Sequence, residues 1–254
     1  MAGISSGPVV AGRRSRRRVT TGCLLLLMVP AALLAYFWYA AWHADRVNER
    51  REEAAAASVL AQARRASDGT VRALSASRST APDALVGVIR RHTHAPVIAY
   101  DPEHGTYTAT AAFSSDHDEK GVLLGAGPVR TERCFTLTFA RKAPATTWTA
   151  KRAERDDSAC RSGRLIDFDV TLARKRLANM TGQVTPAEAA RVLDPAHRKR
   201  PYSVTKVGRS GDADVITVLV RESVGGAAVQ QCYAFTRGRG TDAAPVTAVP
   251  VATC

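Results

Sequence analysis

Arg133-Cys134-Phe135-Thr136-Leu137-Thr138-Phe139-Ala140-Arg141 and Gln231-Cys232-Tyr233-Ala234-Phe235-Thr236-Arg237 are the two stretches that decide the fold. In the first, Cys134, Thr136 and Thr138 alternate with Phe135, Leu137 and Phe139. A strand of that pattern buries its apolar set on one face of a sheet and leaves the other half exposed. The second stretch repeats the motif. Cys134 and Cys232 lie 98 residues apart and Cys160 and Cys254 lie 94 apart, so one small indel relates the two copies.

The flanking segments recur in the same order. Ala81-Pro82 opens a short amphipathic stretch with Leu85, Val88 and Ile89, and Thr185-Pro186 opens another with Ala189, Val192 and Leu193. Thr185-Pro186-Ala187-Glu188 reads as a capping box with proline at the first helical position. Each stretch then meets a second proline and a strand-like run, Pro96–Tyr100 and Pro201–Val204. Turn residues follow, Pro102-Glu103-His104-Gly105 and Gly208-Arg209-Ser210-Gly211, and then β-rich runs at Thr106–Phe113 and Val215–Val220. A recurrence of this length predicts an α+β fold built from two tandem units, residues 81–160 and 164–254. In each, one or two helices pack on an antiparallel sheet of three or four strands.

Five cysteines occur, and Cys134, Cys160, Cys232 and Cys254 share the C-terminal region while Cys23 stands apart. Four cysteines allow three pairings; sequence order and the repeat favour Cys134–Cys160 and Cys232–Cys254. Disulfides of that kind imply an oxidising compartment. A zinc site is disfavoured, because none of the four lies in the close pairs that structural zinc sites use.

From Val19 to Trp42 the chain carries no charge in 24 residues. At about 1.5 Å per residue, a helix of that length crosses a hydrocarbon core of about 30 Å, and Pro30 is tolerated within it. Arg13, Arg14, Arg16, Arg17 and Arg18 abut one end and hold it in the cytoplasm by the positive-inside rule. Tyr36, Phe37, Trp38, Tyr39 and Trp42 crowd the other end, at headgroup level. A cleaved export signal is the rival. The long apolar run and the bulky aromatics, with no Ala-x-Ala site close behind them, favour an anchor. The expected layout is a tail at 1–18, a membrane helix at 19–42 and a helical stalk at 43–80. Arg50-Arg51-Glu52-Glu53 and Ala54–Ala57 favour helix in the stalk, and Asp68-Gly69 is its expected break.

Charge and composition bound the partners. Formal charge is +13, and 30 of the 36 basic residues are Arg, a bias that suggests the codon supply of a GC-rich genome such as an actinobacterium's and carries no mechanism. Residues 43–254 carry 31 basic and 23 acidic side chains, a net +8. That surplus suits weak contact with anionic lipid or wall polymer, and no nucleic acid is expected outside the membrane. The lipid bilayer is met through residues 19–42, and the Ala-rich stalk offers a route to a homodimer.

No motif assigns a catalytic, cofactor-binding or metal-binding residue. His92, His94, His104 and His117 lack ligand spacing, and Ser210 reads as a turn residue. Asp116-His117-Asp118 is the one weak pointer to an enzyme acting on wall polymers or glycans. The expected role is a non-enzymatic binding or assembly accessory of the bacterial envelope, within a secretion, conjugation or transport complex. The alternatives are that extracytoplasmic enzyme, or a small transmembrane sensor. Tail, anchor, stalk and repeated α+β domain together resemble the layout of membrane-anchored conjugation or transport accessory proteins with NTF2-like domains. The likeness is architectural and carries over no site residue.

Overall fold

The computed structural model describes residues 13–121, 126–141, 147–180, 182, 184–195, 201–224, 227–239 and 245–254. The chain divides into two compact units. The smaller joins the helix α1 (Arg13–Ala76) as far as Ala54 to Asp116–Val129. Leu27, Met28, Val29, Leu33 and Leu34 are all exposed on α1, and the helix is long and apolar enough to cross a membrane. Beyond that span Asn48 clasps Lys120 from both sides. Its Nδ2 donates to the Lys120 carbonyl at 3.0 Å, and its Oδ1 accepts the Lys120 N–H at 2.8 Å.

The larger unit holds the rest of α1 and all or most of eleven further elements. The first repeat continues with α2 (Pro82–Thr93) and strands β1 (Val97–Asp101), β2 (Thr106–Asp118), β3 (Pro128–Arg141) and β4 (Trp148–Arg155). The second has α3 (Asp157–Ala178), α4 (Pro186–Leu193) and strands β5 (Tyr202–Ser210), β6 (Ala213–Val224), β7 (Ala227–Gly238) and β8 (Thr247–Val251). Each sheet is a four-stranded antiparallel meander in chain order. The α+β class and the two tandem sheet-and-helix units are therefore as the sequence implies.

Two elements differ from the expectation. The helix passes through Asp68-Gly69 without a break and ends at Ala76. Val59, Ala63 and Leu74 on it lie in one core with Leu85 and Ile89 of α2 and with Ile98, Leu137 and Phe139 of the sheet. A helical glycine costs about 1 kcal/mol relative to alanine, less than burying a leucine returns. The Ala-rich stripe expected on a free stalk is thus the first repeat's own core face.

The second difference is α3, which begins before the expected end of the first unit. Asp156 caps it, accepting the Ser158 N–H at 2.9 Å, and Ile166, Val170, Ala173 and Leu177 bury one helical face against β6 and β7. Thr185 caps α4 as its capping-box sequence implies, its hydroxyl accepting the Glu188 N–H at 3.2 Å.

Both disulfides form as paired by the repeat. Cys134–Cys160 spans 5.7 Å between Cα atoms and Cys232–Cys254 spans 5.5 Å. Each joins the third strand of its sheet to chain just past the fourth strand. Because Cys160 sits in the first turns of α3, the first bond also ties one repeat to the next. Gln231 strengthens that junction: its Oε1 accepts the Ile98 N–H at 2.7 Å, and its Nε2 donates to the Val251 carbonyl at 3.0 Å. At Gly163 α3 comes so close to Pro96 that a Cβ would lie 2.9 Å from the ring, which explains a glycine inside a helix.

Candidate functional site

The first repeat has a cleft of about 500 Å³ at the end of its layers where the β1–β2 turn lies. Tyr100 and Tyr107 face each other across that hairpin and stack with centroids 4.7 Å apart, and Trp148 lies 5.9 Å from Tyr107. Tyr107 is buried, and burial pushes its hydroxyl up to about 12, with Tyr100 and Asp83 adding to the shift. The phenol therefore stays neutral throughout the physiological range.

Basic groups rim this aromatic floor. Arg78 leaves the end of α1, Arg141 ends β3, and His104 lies in the turn. Asp101 holds His104 through Nδ1 at 2.6 Å and accepts the Glu103 N–H at 3.0 Å. The hydrogen bond from His104 holds the Asp101 carboxyl below its ordinary range. Arg78 and Arg141 have no hydrogen-bond or ion-pair partner among the described residues.

The same end of the second repeat is filled differently. Asp214, 2% exposed, receives Arg239 through Nε at 2.9 Å and again through Nη2, with Arg237 Nη1 at 3.7 Å. Arg237 also donates to the Met180 carbonyl. The hydrogen bond to Asp214 raises the pKa of Arg239 above its already high ordinary value. An ion cluster thus stands where the first repeat has rings and space.

Two other places carry chemistry. Between α2 and α3 a second cleft of about 470 Å³ is lined by His94, Arg164, Asp167 and the 66%-exposed Phe168. Arg90 crosses to Asp167 at 3.1 Å beside it. In the second repeat Asp169 and Glu222 share a carboxyl–carboxyl contact, and the Tyr202 hydroxyl donates to the Asp169 carbonyl at 2.9 Å. Burial first, then the Asp169 carboxyl, raises Glu222 above its ordinary 4.5. The fold therefore favours protonated Glu222, and that contribution is complete below about pH 4 and lost as pH rises through the raised value. Glu222→Gln is expected to raise the melting temperature at neutral pH and leave it unchanged near about pH 4. A lower neutral-pH melting temperature would count against this account of the pair.

The histidines named from sequence are not brought together, and among the described residues no group of three His, Cys, Asp or Glu could hold a metal ion. Asp116 and Asp118 are exposed at the far end of β2, where the Asp118 carbonyl accepts a hydrogen bond from Arg51. Ser210 ends β5, and Gly211-Asp212 form the hairpin turn, with Gly211 at φ 58°. Arg13, Arg14, Arg16, Arg17 and Arg18 fall in the first turns of α1; their side chains, like that of Cys23, lie outside the described residues. Sequence reading missed Arg78, Tyr107, Arg141, Asp214 and Arg239. One signal was available: Arg141 and Arg239 each stand seven residues after the third-strand cysteine, 141 − 134 and 239 − 232.

No family model matches the chain, and no curated protein matches it. Among solved structures, one described as "Ntf2 like protein involved in plasmid conjugation" is similar over 73% of this chain and 94% of that one, at 11% identity and a TM-score of 0.18. A likeness at that TM-score carries no argument about fold or function.

Proposed function

We propose that this chain is a single-pass, membrane-anchored extracytoplasmic protein that presents its two repeats as a binding and assembly platform in the bacterial envelope. The Arg13–Arg18 end lies in the cytoplasm and the repeats lie outside. The observation that carries this reading is the continuity of α1. Its Leu27–Leu34 side chains are exposed and need a lipid partner, while Val59, Ala63 and Leu74 of the same helix are core residues of the first repeat. The two disulfides support an oxidising compartment.

Tyr36, Tyr39 and His43 line a groove with Lys120, and Arg46 lies 5.6 Å from the Trp42 ring. Amphipathic rings beside cations suit the headgroup region and contact with anionic lipid. Partner proteins of the envelope would engage the repeats. Purified in detergent from its native membrane, the intact protein should carry a fixed stoichiometric set of envelope proteins. An anchor lacking residues 81–254 should carry none of them. The same set recovered on the anchor alone would contradict the proposal.

A further inference from the structure

The two repeats differ where their hairpins meet the end of the third strand. Tyr107 and Asp214 hold equivalent places, each the second residue of its repeat's second strand, paired across the hairpin with Tyr100 and Arg209 respectively. Arg141 and Arg239 are likewise equivalent, each seven residues beyond the strand's cysteine, 141 − 134 and 239 − 232. In the second repeat the buried Asp214 is paired with Arg239 at the surface. In the first repeat a neutral phenol replaces that carboxylate, and Arg141 lacks an internal counter-ion among the described residues. Arg78 adds a second such guanidinium to the rim.

We propose that the cleft of the first repeat binds a small organic carboxylate from outside, which takes the role that Asp214 fills internally in the second. Arg141 and Arg78 would receive the carboxylate, since a guanidinium presents a planar fork that matches two carboxylate oxygens. Tyr100, Tyr107 and Trp148 would flank the ligand's apolar body. A volume of about 500 Å³ suits a ligand of small-molecule size. His104, held by Asp101 at 2.6 Å, adds a polar group at the mouth. This inference goes beyond the anchoring and assembly role and does not depend on it.

The test uses the full chain in detergent micelles, titrated calorimetrically with benzoate and with its neutral counterpart benzamide. Saturable benzoate binding is expected, with benzamide bound far more weakly. Arg141→Gln, a change at an exposed side chain, should weaken benzoate by about tenfold or more, the usual loss for one charge-assisted contact. Tyr107→Asp should abolish binding, because it supplies Arg141 with the internal carboxylate of the second repeat. That site is buried, so Arg141→Gln decides the matter if Tyr107→Asp does not fold. No saturable benzoate binding to the folded chain, equal binding of benzamide, or unchanged binding in Arg141→Gln would each overturn the proposal.

Discussion

Replacing Cys134 and Cys160 together by alanine is expected to lower the stability of the larger unit by about 3 kcal/mol. The bond closes a loop with a sequence separation of 26, and the chain-entropy cost of opening such a loop in the unfolded state sets that magnitude. In a domain of this size the melting temperature should fall by roughly 10 °C. Alanine is the informative replacement, because both sulfurs are buried and serine would leave unsatisfied hydroxyls. Removing Cys232–Cys254 should cost less, although its separation of 22 is similar. That bond holds only the few residues past β8, which can fray without opening the core. The first bond instead joins β3 to α3, and with them the two repeats. A fall of less than about 2 °C for the first pair would contradict this role.

Removing the helix that precedes Pro82 is expected to have a still larger effect. A chain beginning at residue 81 retains both sheets and every cysteine of the repeats, yet it should not fold. It lacks Val59, Ala63 and Leu74, which are at most 1% exposed, and it uncovers the face of the first sheet carrying Leu137 and Phe139. Each large side chain so exposed costs about 1.5–3 kcal/mol. Several together exceed the roughly 5–15 kcal/mol that typically holds a domain folded. Circular dichroism without a cooperative melt and a collapsed amide spectrum are the expected readouts. A dispersed spectrum from residues 81–254 would show instead that the helix is the free stalk its sequence suggests.

That contrast marks where the sequence was readable. Alternation in residues 133–141, the capping box at Thr185 and matching cysteine offsets were enough for the α+β class, the two tandem units and both pairings. The role of α1 past residue 54 was not readable in the same way. Its buried stripe is largely alanine, serine and threonine (Ala55, Ala63, Ser67, Thr70), and small side chains leave a weak hydrophobic signature. Helix α3 was obscured because it starts only two residues after β4 ends, with its cap, Asp156, in a charged run. Its period is nonetheless plain in Ile166, Val170, Ala173 and Leu177.

The candidate cleft was the least legible feature. Tyr107 and Asp214 share a place in the fold but no chemistry, so comparing residue types alone separates them. Only the hairpin registers align them, and only the pairing of buried Asp214 with Arg239 gives meaning to an arginine seven residues after Cys134. The histidines and the Asp116/Asp118 pair are of metal-ligand and acid–base type, yet the fold places them apart or in solvent.

We propose that one helix both spans the membrane and enters the core of a folded domain outside it. An epitope placed after Cys254, probed on intact spheroplasts together with the mass of the tagged protein, tests it most directly. The expected result is an epitope reachable from outside on a full-mass protein retained in the membrane. An epitope reached only after lysis, or a shortened protein released without its residues up to Trp42, would contradict it.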